Sequence, residues 1–186
     1  MRDLGGAKDL ADSQKLLEIF DSANFIENSK IFVESIAANT TAQLGYNTEG
    51  KESVLGNPTE GALLNYLKDN SIDYSPLRKK AKLLKQLTFS TPRKYMATVV
   101  RSAHSGKRIL YVKGAPEIVL SLCSAVETAA GEKSIDECRE GIERKLLEYQ
   151  SKAMRTLGFA YQRVGENDSH KVIFLGDYVS THDDIT

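Results

Sequence analysis

Lys113-Gly114-Ala115-Pro116-Glu117 follows directly on the apolar run Ile109-Leu110-Tyr111-Val112. The run reads as a strand that stops at a lysine and two small residues. Pro116 then opens a helix through Leu122, since proline is favoured in a helix's first turn. A lone lysine at a strand end is usually solvated. Beside Gly114 and Ala115, which let a ligand approach the backbone closely, Lys113 becomes a candidate for a partly desolvated cleft position with a shifted pKa. Two companion stretches stand upstream, Gly56-Asn57-Pro58-Thr59-Glu60-Gly61-Ala62-Leu63-Leu64 and Phe89-Ser90-Thr91-Pro92-Arg93-Lys94-Tyr95-Met96.

Outward from these stretches, periodicity predicts the elements. Leu16, Leu17, Ile19, Phe20 and Ala23 form a helical stripe within residues 10–25, and Ile31, Phe32, Ser35 and Ile36 another within 29–38, broken by Asn39-Thr40-Thr41. Thr41 to Gly45 is a candidate short strand. Thr59 is a candidate cap for a helix carrying Ala62, Leu63, Tyr66 and Leu67 and ending at Asp69-Asn70. Strands are expected over 82–89, 95–101 and 108–113, the last two joined by the hairpin loop Ser102-Ala103-His104-Ser105-Gly106. A long amphipathic helix is expected over 134–152, then two strands, 156–164 and 171–179, around a polar loop at 165–170. Strands joined by hairpins, with helices grouped between them, predict an α+β fold: an antiparallel β-sheet flanked by helices. With no internal linker or repeat, residues 1–186 are expected to form a single domain.

Composition narrows the function classes. The 186 residues carry zero net charge, which argues against a surface for nucleic acid or anionic membrane. Cys123 and Cys138 make neither a zinc spacing nor a disulfide framework, and fit free thiols. No apolar run approaches the ~20 residues of a membrane helix, and the opening residues are polar, so the chain is expected to be soluble and without a signal peptide. His104, His170 and His182 are scattered over loops, no metal spacing is evident, and no general acid–base pair can be argued. Gly45-Tyr46-Asn47-Thr48-Glu49-Gly50-Lys51-Glu52 nearly spells a phosphate loop. It fails where Glu52 replaces the hydroxyl needed for magnesium, and Glu49 adds further repulsion, so it reads as a polar turn.

The three quoted stretches together hold an acid, an aromatic face and several cations. Those groups suit an adenine nucleotide: a purine stacks on a ring, its exocyclic amine donates to a carboxylate, and its phosphates seek lysine and arginine. Each residue has a plainer reading too. Glu60 suits a helix N-terminus, where a carboxylate complements the dipole. Phe89 suits a core, although polar Ser90-Thr91 and cationic Arg93-Lys94 place it at a rim. Arg155, in Met154-Arg155-Thr156-Leu157, suits the C-terminus of a helix.

In this order the stretches resemble the nucleotide-binding (N) domain of P-type cation-transporting ATPases, and the Gly56–Leu64 form is most similar to the plasma-membrane-type calcium-pump branch. The resemblance runs from Ile36 to Leu157. It implies that Glu60 faces the adenine amine, Phe89 stacks on the base with Ser90 beside it, and Lys94 lies on the phosphate side. It further implies that Lys113 sits deep in the pocket with Gly114 and Ala115 shaping its wall, Arg155 reaches phosphate and Leu157 touches the base. Thr91 departs from relatives that place an arginine there: either its hydroxyl suffices or another cation substitutes.

The chain lacks the Asp-Lys-Thr-Gly-Thr phosphorylation motif, the Thr-Gly-Glu loop and the Gly-Asp-Gly hinge of the family. It is therefore expected to be an N domain excised from a larger pump, with no catalytic residue of its own. The implied ligand is ATP, accompanied by Mg2+ in the intact pump. The implied partners are the phosphorylation and actuator domains of the same parent chain, and membrane contact would come only through that parent, a cytoplasmic domain of an integral membrane protein. Two rivals stay open: a stand-alone nucleotide-sensing module, and an α+β binding domain in which the motifs coincide by chance.

Overall fold

The computed structural model describes residues 22–128, 131–165 and 171–180. Helix α1 (Ser22–Ala38) precedes a hairpin of β1 (Gln43–Tyr46) and β2 (Glu52–Leu55). Helices α2 (Pro58–Asp69) and α3 (Tyr74–Lys80) follow, then β3 (Lys82–Leu87), β4 (Tyr95–Arg101) and β5 (Arg108–Gly114). Helix α4 (Pro116–Leu122) leads into β6 (Ala125–Thr128) and β7 (Gly131–Ser134). Helix α5 (Ile135–Ser151), β8 (Arg155–Arg163) and β9 (Ile173–Ser180) complete the described chain.

Seven strands form one sheet in the order β3-β4-β5-β8-β9-β6-β7, and β1-β2 stand apart as a second, two-stranded sheet. The α+β fold is as expected. The main sheet is mixed, however, because β6 pairs with β9 in parallel; its other pairings are antiparallel. Strand alternation sends successive side chains to opposite faces, and each face has its own core. On one side Ile36, Leu63, Leu64 and Leu67 of α1 and α2 cover Val100, Ile109, Tyr111, Phe159 and Tyr161. Phe32 meets Phe159 edge-on at 5.0 Å. On the other side Val119, Leu120 and Ile135 cover Val112, Ala160 and Phe174. None of the described helices is long and apolar enough to cross a membrane.

Local chemistry sets the boundaries. Asn57, not Thr59, caps α2: its Oδ1 accepts from the N–H groups of Thr59 and Glu60 at 2.9 and 3.3 Å, and Pro58 takes the first helical position. Ser134 caps α5. That helix ends at Ser151, so Arg155 opens β8 and is no helix-terminal cation. Within the helix expected over 10–25, residues 10–21 lie outside the described residues, as do His170 and His182; 22–25 belong to α1.

Candidate functional site

β5 shows why Lys113 is buried. Ile109 and Tyr111 point into the core beneath α1 and α2, and alternation carries Lys113 to that same face. There it is only 4% exposed. Its Nζ lies 2.8 Å from Oε1 of Glu60, itself 7% exposed, in the first turn of α2. A buried ammonium needs such a partner. Oε2 of Glu60 accepts from the N–H and hydroxyl of Thr41, both at 2.8 Å, and from the N–H of Ala42 at 3.1 Å. Burial pushes the Glu60 carboxyl up, but Lys113 and the Thr41 donors outweigh it and hold the pKa at about 2. Burial lowers the Lys113 ammonium from its usual value, against the pull of Glu60.

The third stretch joins the same place through backbone. Past β3, residues 91–93 form a turn that delivers Lys94 in the left-handed region at φ +59°. The carbonyl of Lys94 accepts the N–H of Ala115 at 2.9 Å. Gly114 lies against this join: a Cβ there would stand 2.3 Å from that carbonyl oxygen and 2.6 Å from Cα of Tyr95. Gly114→Ala is therefore expected to cost about 1–3 kcal/mol, because backbone cannot give way as a flexible side chain can. Urea unfolding would measure it, and an unchanged midpoint would show the contact to be soft.

Phe89, 56% exposed just beyond β3, is available as a stacking face rather than as core. Ser90 is half-buried, and its carbonyl accepts from the Lys94 N–H at 2.8 Å. On β8, Phe159 pairs with Lys113 and Gly158 with Gly114. Arg155 and Leu157 share the parity of Phe159 and so the face of Lys113. Leu157 packs half-buried against the core edge. Arg155 is exposed, about 10 Å along the strand from Gly158. Glu60 and Lys113 thus form a buried pair, the floor of the candidate site, and Phe89, Lys94 and Arg155 are exposed. A cavity of about 710 Å³ lies elsewhere, between the β1–β2 hairpin and α2, lined by Tyr46, Glu52, Val54 and Lys68 among others. The described residues gather no group of three His, Cys, Asp or Glu able to hold a metal.

Sequence reasoning missed Thr41, Ala42 and Arg78 as supports of this floor. Thr41 reads from sequence as a helix breaker and the start of a short strand, and neither reading points to Glu60. Arg78 lies on α3, which was not anticipated, although Asp73 caps it and Arg78-Lys79-Lys80 fill its last turn, an ordinary start and stop signature.

The family model for the P-type ATPase cytoplasmic domain N matches residues 28–183. A calcium-transporting ATPase of Dictyostelium discoideum is 33% identical over 154 residues, covering 78% of this chain and 14% of that protein. Calcium-transporting ATPase 2, plasma membrane-type, of Arabidopsis thaliana is 31% identical, covering 73% of this chain and 14% of its own length. Calcium-transporting ATPase 1 of Lactococcus lactis is 29% identical over 70% of this chain and 15% of its own.

Proposed function

This chain belongs to the P-type ATPase cytoplasmic N-domain family, and from that premise we propose that it binds ATP over the Glu60–Lys113 floor as one domain of a calcium-transporting pump. The observation that carries the reading is the buried ion pair at 2.8 Å, which unites two of the three motifs, while Lys94 and Ala115 unite the third. Adenine stacks on Phe89. Lys113 faces base and phosphates together. Glu60 has three donors on Oε2 and Lys113 on Oε1, which leaves lone-pair capacity on Oε1 for the adenine amine. Lys94 and Arg155 share the phosphate charge from the rim, and Mg2+ would arrive with the phosphates.

The chain spans about 14–15% of the length of these relatives. In the parent, domain closure would bring the γ-phosphate to an aspartate of the phosphorylation domain. The bond from the γ-phosphorus to the bridging oxygen breaks, the aspartate oxygen bonds phosphorus, and ADP leaves. Phosphoryl transfer rests mainly on positioning and charge neutralisation, and this domain supplies the positioning.

Calorimetric titration with ATP, paired with a phosphate-release assay, tests the reading. Without a closing partner, affinity should be weak, with a Kd on the order of 0.1 to several mM, and no turnover. Phe89→Ala should weaken ATP and AMP alike by about tenfold, as expected for a stacking face of ~1–3 kcal/mol. Robust hydrolysis by the pure chain, or wild-type affinity in Phe89→Ala, would sink it.

A further inference from the structure

Glu60 holds Lys113, but something must hold the peptides that hold Glu60. Thr41 and Ala42 sit on the irregular link between α1 and β1. Three donors from those two residues converge on the single oxygen Oε2, an arrangement that a small rotation of the link would dissolve. Across the link stands α3, a seven-residue helix without one buried residue. Too short to hold itself, it lays Tyr74 and Leu77 half-buried against the edge of the core, and two polar groups fasten it to the link. Arg78 donates from Nε to the Ala37 carbonyl at 2.7 Å and from Nη1 to the Ala42 carbonyl at 2.9 Å. Its guanidinium lies 4.6 Å from the Tyr74 ring centre, and the Tyr74 hydroxyl accepts the Leu44 N–H at 3.0 Å. The two carbonyls bracket Thr40 and Thr41, one on each side.

We propose that Arg78 is a positioning residue of the nucleotide site: its guanidinium clasps both ends of the α1–β1 link, so that Thr41 and Ala42 keep Glu60, and through Glu60 keep Lys113, in the geometry that receives ATP. The clasp rests on the nucleotide-binding reading above for its purpose, and on geometry alone for its existence. A planar fork suits the task because it meets two carbonyls at once, which an ammonium cannot do. Arg78 also adds a second positive charge near the Glu60 carboxylate. Glu60, Lys113 and Arg78 together carry a surplus of one positive charge, and Nη2 of Arg78 is buried without a partner. The floor is thus biased toward an anionic ligand.

The test follows the Glu60 carboxyl by carbon NMR through an acid titration, together with ATP calorimetry, on the whole chain. Arg78→Met should raise the Glu60 midpoint by about one unit or more and weaken ATP binding about five- to tenfold. Arg78→Lys keeps a cation but not the fork, and should stay at least about threefold weaker than wild type. An unmoved Glu60 midpoint in Arg78→Met overturns the clasp even if ATP binding falls, since a merely stabilising residue would leave that carboxyl alone. Full restoration of both readouts in Arg78→Lys overturns it as well. Should Arg78→Met fail to fold, Tyr74→Phe removes only the hydroxyl: a smaller upward shift of Glu60 supports the clasp, and none contradicts it. A wild-type chain that binds no ATP defeats the proposed function, while the Glu60 titration still decides the clasp.

Discussion

Lys113→Met should abolish measurable ATP binding and remove about 3–5 kcal/mol of stability at pH 7. The stability loss follows from what is left behind. Met fills the stem's volume, but Glu60 remains a buried carboxylate without its cation, and breaking one side of a buried pair costs about that much. The double variant Glu60→Gln/Lys113→Met removes both charges. It should recover most of the stability and none of the binding, which separates folding from recognition by a double-mutant cycle. The pH dependence has a definite sign. In wild type the Glu60 carboxyl falls from 4.5 in the unfolded chain to about 2 in the fold. Its contribution is complete above the unfolded value and drains away as pH drops from 4.5 toward 2. In Lys113→Met the upward push of burial loses its main opponent, so the variant should gain stability relative to wild type on acidification. Urea midpoints from pH 3 to 8, with ATP and AMP calorimetry at pH 7, measure both effects. Lys94→Ala and Arg155→Ala should each weaken ATP binding less, because water screens exposed charges. A folded Lys113→Met protein with wild-type affinity for both nucleotides would contradict the pocket.

The desolvated position of Lys113 was legible before any coordinates, and the reason is local. Lys113-Gly114-Ala115-Pro116 couples a strand end to a helix start, and strand parity alone sends Lys113 to the face of Ile109 and Tyr111. Arg155 was not legible in that way, because the sequence suited it to a helix C-terminus and the structure instead makes it the first residue of β8. The link between motifs was beyond local reading. Nothing near Glu60 announces that its carboxylate belongs with a lysine on a distant strand and with the Thr41 and Ala42 peptides. Elements were missed where tertiary pairing, not propensity, creates them. Glu52–Leu55 is a strand because it pairs with Gln43–Tyr46. Ala125–Thr128 is one because it adds parallel to β9, where the buried Glu127 accepts from the Tyr161 hydroxyl at 3.0 Å. Short polar segments of that kind carry no period of two. Thr59 and Asn57 compete for one cap, and Pro58 settles it by occupying the first helical position, which leaves Asn57 outside.

Asp177→Val should stabilise the domain at pH 8 by up to about 4 kcal/mol and leave it nearly unchanged at pH 4. Asp177 pairs with Gly158, which pairs with Gly114, so the three lie in one row on the α4 face, opposite to Lys113. Its Oδ1 is buried without a partner, and a Cβ built on Gly158 would stand 3.3 Å from it. Among the described residues no donor or cation is paired with that oxygen. Across the row stand Gly158, Pro116 and Val119, while Glu117 of α4 and Arg155 of β8 are exposed. Burial accordingly raises the carboxyl from 3.8 to about 7. A carboxyl raised in the fold costs nothing below the unfolded value. Its cost grows between 3.8 and about 7 and is complete above that. Wild type should therefore lose stability as pH climbs through this window, and Asp177→Val, with an apolar β-branched side chain suited to a strand, should lose none there. ATP affinity should stay within about twofold, because the substitution lies behind the floor and touches neither Glu60 nor Lys113. Urea midpoints of the two proteins at half-unit steps from pH 4 to 8.5 decide the matter. Parallel profiles would mean that the Asp177 carboxyl reaches water or a cation, and that the α4 contact carries no ionisation cost.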